Sequence, residues 1–320
     1  MDLRFRAALL VFACSAVAAL AQPYPNRPVK VIVPWPPGQA TDTAARVVAE
    51  KLGTTMGQQF VVDNRPGAGG TIGSDVAAKS PADGYTILAG SSGPISISPR
   101  VQKVPYDPDR DFEPLCIMAT TAYVLVANPS VPANNYGEFV ALLKANPGKY
   151  TFASSGTGAT AHLVGELFNS SNNITASHIP YKGSAPAITD LVAGHVTYAF
   201  ETTASVLPHI RAGRLKAFAV SSETRSVILP ELAPIAEIGN LPGFDMRAWI
   251  GLIAPTGLPR EARQRLSSEC NKAAESAEVK EKMIALGLEP GFAPPDLAAY
   301  LRRQGERFGE IAKQAKIRLD

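Results

Sequence analysis

The sequence predicts an α/β protein of two lobes, each built on a mainly parallel sheet. Three observations carry this expectation. Apolar, strand-like runs alternate with helical periodicities almost throughout the 320 residues, the pattern of parallel strands joined by crossover helices. The alternating series occurs twice along the chain. The loops after the strands are rich in Gly, Ser, Thr and Pro, and in open parallel sheets ligands sit beyond the carboxyl ends of the strands.

In the first series, Val29–Val33 reads as a strand running into a Pro/Gly loop, Pro34 to Gly38. From Thr41 to Met56, Ala45, Val48, Ala49 and Leu52 recur at helical spacing, with Thr41 or Asp42 placed to cap. Phe60–Val62 is the next strand and Thr71–Lys79 the next helix. Tyr85–Ala89 is a third strand, ending in Gly90-Ser91-Ser92-Gly93.

The second series opens with a strand at Tyr123–Val126 and a helix at Tyr136–Ala145, stopped by Asn146-Pro147-Gly148. A strand at Tyr150–Ala153 runs into Ser154–Thr160, which starts a helix reaching Asn169. Ser177–Pro180, Val196–Phe200 and Leu215–Val220 read as strands, and Ala185–Ala193 and Ser205–Ala212 as helices. Trp249–Ala254 reads as a strand returning to the first lobe. Helical patterns over Arg260–Leu286 and Pro295–Ala315 finish the chain. The first lobe is accordingly assigned 22–122 and 244–320, and the second 123–243.

Arg4 and Arg6, the apolar run Ala7–Leu20 and the small-x-small triplet Ala19-Leu20-Ala21 read as a cleavable export signal over residues 1–21, with a periplasmic destination. The run is shorter than the ~20 apolar residues of a membrane span. The chain holds 31 Lys and Arg against 28 Asp and Glu, too balanced for a nucleic-acid binder with its concentrated basic face. His162, His178, His195 and His209 show no metal-ligand spacing, so neither metal nor cofactor is expected. Cys116 lies in the strand-like run Leu115–Met118 and Cys270 in a helical pattern. Sequence leaves their pairing open, and buried free thiols acting as small apolar groups are the favoured reading.

Two glycine-rich segments invite chemistry. Gly67-x-Gly69-x-x-x-Gly73 has the outline of a dinucleotide loop, but the next strand ends in Gly90-Ser91-Ser92 without the acid that holds a ribose. It is either an anion-binding helix start or a tight turn for close packing. Ser154-Ser155-Gly156-Thr157-Gly158-Ala159-Thr160 opens a helix carrying His162. A serine near a histidine suggests a hydrolase, but the Gly-x-Ser-x-Gly elbow is absent. Hydroxyls at a helix N-terminus make a better anion cradle than a nucleophile. Trp35 serves equally as a ligand wall or as packing.

With these motifs in order, the chain resembles the Bug-type extracytoplasmic solute receptors, the substrate-binding proteins of tripartite tricarboxylate transporters. The likeness rests on Pro34–Asp42 with Arg46, Asp63–Gly73, Ser80–Thr86, Tyr106-Asp107-Pro108 with Asp111-Phe112, Tyr150–His162, Pro180–Pro186, Leu215–Arg225 and Trp249–Pro255. The resemblance implies a periplasmic binding protein of the Venus-flytrap kind, monomeric, without catalysis or cofactor. It also implies a small organic acid as ligand and membrane permease subunits as partners. On it, Gly38, Gln39 and Thr41 supply first-lobe contacts, with Ser91 and Ser92 beneath. Ser155, Gly156, Thr157, Thr160 and His162 face them from the second lobe, joined by Ser184 and Glu201. Gln39 stands where the family usually carries a second glycine, and Glu201 where many members carry Asp. A Glu201 facing the cleft would repel acidic groups or hold an amine. The rival readings are an exported hydrolase using the Ser155/His162 region and a sensor subunit serving a signalling partner.

Overall fold

A computed structural model describes residues 24–314; the expected export signal and the last residue of the expected C-terminal helix lie outside that range. Two sheets organise the chain. The first has the strand order β11-β4-β10-β3-β1-β2. Here β1 is Val29–Val33, β2 Phe60–Asn64, β3 Thr86–Ser91, β4 Phe112–Thr121, β10 Ala248–Pro255 and β11 Glu289–Pro290. The second has the order β7-β6-β8-β5-β9, with β5 Tyr123–Ala127, β6 Thr151–Ser154, β7 Ser177–Pro180, β8 Tyr198–Thr202 and β9 Lys216–Val220.

The two-lobed α/β architecture is the expected one, and each sheet is mixed: β10 and β11 run against the other four strands of the first sheet, and β5 against the other four of the second. In the first sheet β1 runs parallel to β2 and β3, whereas β10 is antiparallel to both β3 and β4. In the second, β6 is parallel to β7 and β8, and β5 is antiparallel to β8 and β9. The cause is the way the chain changes lobes. β4 passes into β5 through the single residue Ala122, and β10 re-enters the first sheet directly from the second lobe. The first passage is too short for a crossover helix, and the return holds only the one-turn helix Ile235–Ile238, whereas a parallel return is made by a full crossover.

Helices cover the sheets through apolar stripes. Ala44, Ala45, Val48, Ala49 and Leu52 of the helix Ala40–Met56 are buried against Val29, Val31, Ile87 and Leu252. Phe139, Phe152, Phe168, Tyr198 and Phe200 form the aromatic heart of the second lobe. The expected Arg260–Leu286 helix is two, Arg260–Glu275 and Ala277–Ala285. Ser276 ends the first and caps the second, its Oγ accepting the Val279 N–H, as a serine with extended backbone does. The C-terminal helix Leu297–Gln314 spans both lobes. Leu297, Tyr300 and Leu301 pack on the first-lobe core, Phe308 and Ala312 on the second.

The expectation of free thiols is corrected. Cys116 on β4 and Cys270 on the helix Arg260–Glu275 form a disulfide with Cα atoms 6.0 Å apart, within the span a bridge allows. Both residues are buried in the first-lobe core. Their separation of 154 residues exceeds what sequence spacing can resolve. Closing so long a loop restricts the unfolded chain, so joint replacement of Cys116 and Cys270 by Ala should lower unfolding free energy by roughly 2–5 kcal/mol. Urea denaturation of the oxidised and variant proteins checks this, and equal midpoints would contradict it.

Candidate functional site

The site begins at the carboxyl end of β1. Asp42, in the first turn of the helix Ala40–Met56, accepts the Gly38 N–H at 2.9 Å, Arg46 Nε and Asn64 Nδ2. Asn64, at the end of β2, also donates to the Trp35 carbonyl and accepts from Arg46 Nη2. Burial raises the Asp42 carboxyl, but Arg46, Gly38 and Asn64 together outweigh it and hold the group below its ordinary range. This network fixes the Pro34–Gln39 loop on the sheet. It also commits the Gly38 N–H, at φ +82°, to Asp42.

The fixed loop delivers Trp35 and Gln39. Trp35 Nε1 donates to Ser91 Oγ at 3.0 Å. Gln39 is the residue before the helix, and its side chain makes no capping bond. Its Nε2 is buried without a hydrogen-bond partner among the described residues. Across from it, the second lobe presents the starts of Thr160–Ser171 and Ser184–Ala193. Ala159 and Gly183 precede them, and neither end is capped by its own side chain. Three helix N-termini from both lobes therefore face one space.

That space is a small cavity that opens partly to solvent. Gln39, Thr41, Ser91, Thr121, Tyr123, Ser155, Thr160, Ser184 and Thr202 supply its polar wall; Trp35, Ala40, Ala248 and Ile250 supply the apolar one. None of the lining residues carries a charge. Helix N-termini and hydroxyls in a sheltered space favour a compact anion.

Of the residues expected at the site, Gln39, Thr41, Ser91, Ser155, Thr160 and Ser184 line this cavity. Gly156 and Thr157 line a neighbouring groove of about 740 Å³, shared with Trp35, Ser155 and the Pro66–Gly70 turn. Ser92, Gly38, His162 and Glu201 are on neither wall. Ser92 Oγ accepts the Trp249 N–H and ties β3 to β10. Glu201 lies one hydrogen bond behind the cavity, its Oε2 accepting Ser184 Oγ–H at 2.6 Å. Burial pushes its carboxyl up to about 7, against the lowering effect of bonds from Ser184 and the Thr202 N–H.

The histidines back the second-lobe loop rather than line it. His162 Nδ1 accepts the Gly158 N–H, and its ring stacks on His178 with centroids 3.9 Å apart. His178 Nε2 lies 2.7 Å from Ser154 Oγ. The serine beside a histidine is thus Ser154, fully buried, and not Ser155. Among the described residues, no group of three or more His, Cys, Asp and Glu is placed to hold a metal.

The Gly67–Gly73 segment serves contact between the lobes. A Cβ at Gly69, whose φ is +63°, would stand 2.7 Å from the Thr157 carbonyl oxygen. A Cβ at Gly183, φ +118°, would stand 2.7 Å from Pro36 Cγ and 3.1 Å from Gln39 Nε2. Glycine is what lets the two lobes meet at both points. Sequence reasoning missed Thr121, Tyr123, Thr202, Ala248 and Ile250. All lie on strands at the passage between lobes, and only the strand order brings them to the cavity.

Comparison with known proteins follows this geometry. Residues 44–317 match the family described as the tripartite tricarboxylate transporter family receptor. BugT of Bordetella pertussis is 38% identical over 312 residues, covering 95% of each chain. The solved structure of R. palustris Rpa4515 with adipate superposes with a TM-score of 0.88 at 33% identity, over 92% of this chain and 99% of that one. MatC from Rhodopseudomonas palustris with bound malate gives 0.84 at 29% identity, over 90% and 99%.

Two outcomes follow from the packing. Gly183→Ala should hold the lobes apart, giving a larger radius of gyration by small-angle scattering, and an unchanged radius would contradict the contact. Burial, and then the neighbouring His162, hold His178 down at about 3 against an ordinary 6.5. The unfolded chain therefore binds a proton in that interval that the folded protein refuses, and stability falls as pH drops through it. His178→Gln should flatten this slope in denaturant titrations between about pH 7 and 4; an unchanged slope would refute the assignment.

Proposed function

This chain belongs to the tripartite tricarboxylate transporter receptor family, and we propose that it captures a small organic acid in the periplasm and delivers it to the membrane permease subunits of a tripartite transporter. The family consists of solute receptors, not enzymes, so the chemistry to explain is recognition without turnover. The observation that carries the reading is the meeting of three helix starts from both lobes on one uncharged, hydroxyl-lined cavity.

A carboxylate suits that wall for a physical reason. Its two oxygens accept several hydrogen bonds, and the wall offers donors with no fixed cation. The helix N-terminus at Thr160 would take one carboxylate from the second lobe. Thr41 and the start of Ala40–Met56 would take acceptors from the first, with the unpartnered Gln39 amide as an additional donor. Each such charge-assisted bond contributes on the order of 1.5–3 kcal/mol, strengthened where closure removes water. Because donors come from both lobes, the acid would stabilise the closed arrangement over an open one. Rpa4515 is solved with adipate and MatC with malate, and they support a dicarboxylate as the ligand class.

The test is calorimetric titration with aliphatic mono-, di- and tricarboxylates. Saturable binding of at least one acid is expected, with Thr160→Val weakening it about tenfold or more through loss of one charge-assisted bond. Absence of binding across the panel, or consumption of a bound acid, would overturn the reading.

A further inference from the structure

We infer that Glu201 is a positioning residue that sets the hydrogen-bonding direction of Ser184, so that the cavity receives an organic anion together with a proton taken up at Glu201. The inference rests on reading the cavity as an anion site. It starts from a mismatch in the wall. Ser184 lines the cavity, but its hydroxyl proton points away, to Glu201 Oε2 at 2.6 Å. With Glu201 ionised, Ser184 offers the cavity only lone pairs, which oppose a carboxylate.

Glu201 itself is ill suited to remain charged. It is 1% exposed, and among the described residues its Oε1 has no hydrogen-bond partner. A buried carboxylate with an unsatisfied oxygen is costly, and gaining a proton relieves the cost. Among the described residues no cation stands against it. On β5 the residue opposite is Val124, and the titratable neighbour is the phenol of Tyr123. Tyr123 is kept neutral by burial, against a hydrogen bond with Thr160 that lowers it, and further by the Glu201 charge itself. On the helix Ser184–Ala193 the only ionisable residue is Asp190, which engages Tyr181 and His195. On Thr203–Arg211 the ionisable residues are His209 and Arg211 in the last turn. Gln39, facing Gly183 from the first lobe, is neutral. An arriving anion therefore meets one nearby negative charge and no compensating positive one. Burial, outweighing the hydrogen bonds that lower it, has already brought Glu201 to about 7, where a second negative charge tips it to the acid.

The proton balance is simple. A solvent proton converts the Glu201 carboxylate to the acid; the new O–H donates to Ser184 Oγ; the Ser184 O–H turns and donates to the ligand carboxylate. An ammonium-bearing ligand is the competing occupant, since ionised Glu201 would attract it. Glu201 is not on the cavity wall, however, and Ser184 stands between them.

The experiment is titration calorimetry of the whole protein with malate, adipate and the tightest acid of the panel, from about pH 6 to 9, where carboxylic ligands are ionised. Each titration is run in two buffers of different ionisation enthalpy, which counts protons. Close to one proton is expected to enter per ligand above pH 7, with affinity falling up to about tenfold per pH unit there. Glu201→Gln should bind with the low-pH affinity throughout and take up no proton. Ser184→Ala should bind weakly at every pH, including where Glu201 is already protonated. Saturable binding with no proton uptake, or affinity that rises with pH, would overturn the role of Glu201 while leaving the receptor reading intact. Absence of saturable binding at every pH would instead remove the anion site on which the inference stands.

Discussion

The structure depends on one constraint: helix N-termini from both lobes must share a single small space without a charged side chain among them. Every nearby feature serves it. The Asp42–Arg46–Asn64 network immobilises the first-lobe loop and keeps the nearest ion pair out of the cavity wall. The stacked imidazoles of His162 and His178 hold the Ser154–Thr160 loop from behind. Glycines at 69 and 183 let the lobes approach until backbone meets backbone or proline. An uncharged wall of preset donors suits a receptor that must release its cargo. Ion pairs with buried arginine would bind an acid too, but their desolvation and release are costly.

Closure follows from how the chain passes between lobes. β4 continues into β5 through Ala122, and β10 returns beside β4, so the connecting strands run through the floor of the cavity. Thr121, Tyr123, Ala248 and Ile250 belong at once to the connection and to the wall. A ligand touching them would be coupled to the relative position of the lobes without any intermediary. The C-terminal helix, packed on both cores, and the Arg307 contact with the Asp245 carbonyl add a strap between the lobes.

Much of this was legible in the residues. The alternation of strands and helices marked the α/β class, and the hydroxyl-rich loops after strands pointed to Gln39, Thr41, Ser91, Ser155, Thr160 and Ser184. These are local signals: the loop after a parallel strand faces the ligand side wherever the sheet lies. What stayed hidden depends on tertiary placement. The antiparallel entry of β10 cannot be read from its apolar run, since a buried strand looks the same in either direction. The Cys116–Cys270 bridge joins elements remote in sequence. Ser92 and Ser91 are adjacent and chemically alike, yet the pleat points one to Trp249 and the other to the cavity. Glu201 illustrates the same limit: its position near the site was evident, but whether it lined the cavity or backed Ser184 was decided by the sheet.

The most direct measurement is a crystal structure of the protein grown with malate or adipate. The account predicts one carboxylate against the Thr160 helix start and further acceptor atoms against Thr41 and Gln39, with Trp35 and Ile250 along the carbon chain and no Lys or Arg in contact. An acid found instead in the neighbouring groove and paired with Lys182, which lines it, with the inner cavity filled only by water, would contradict it.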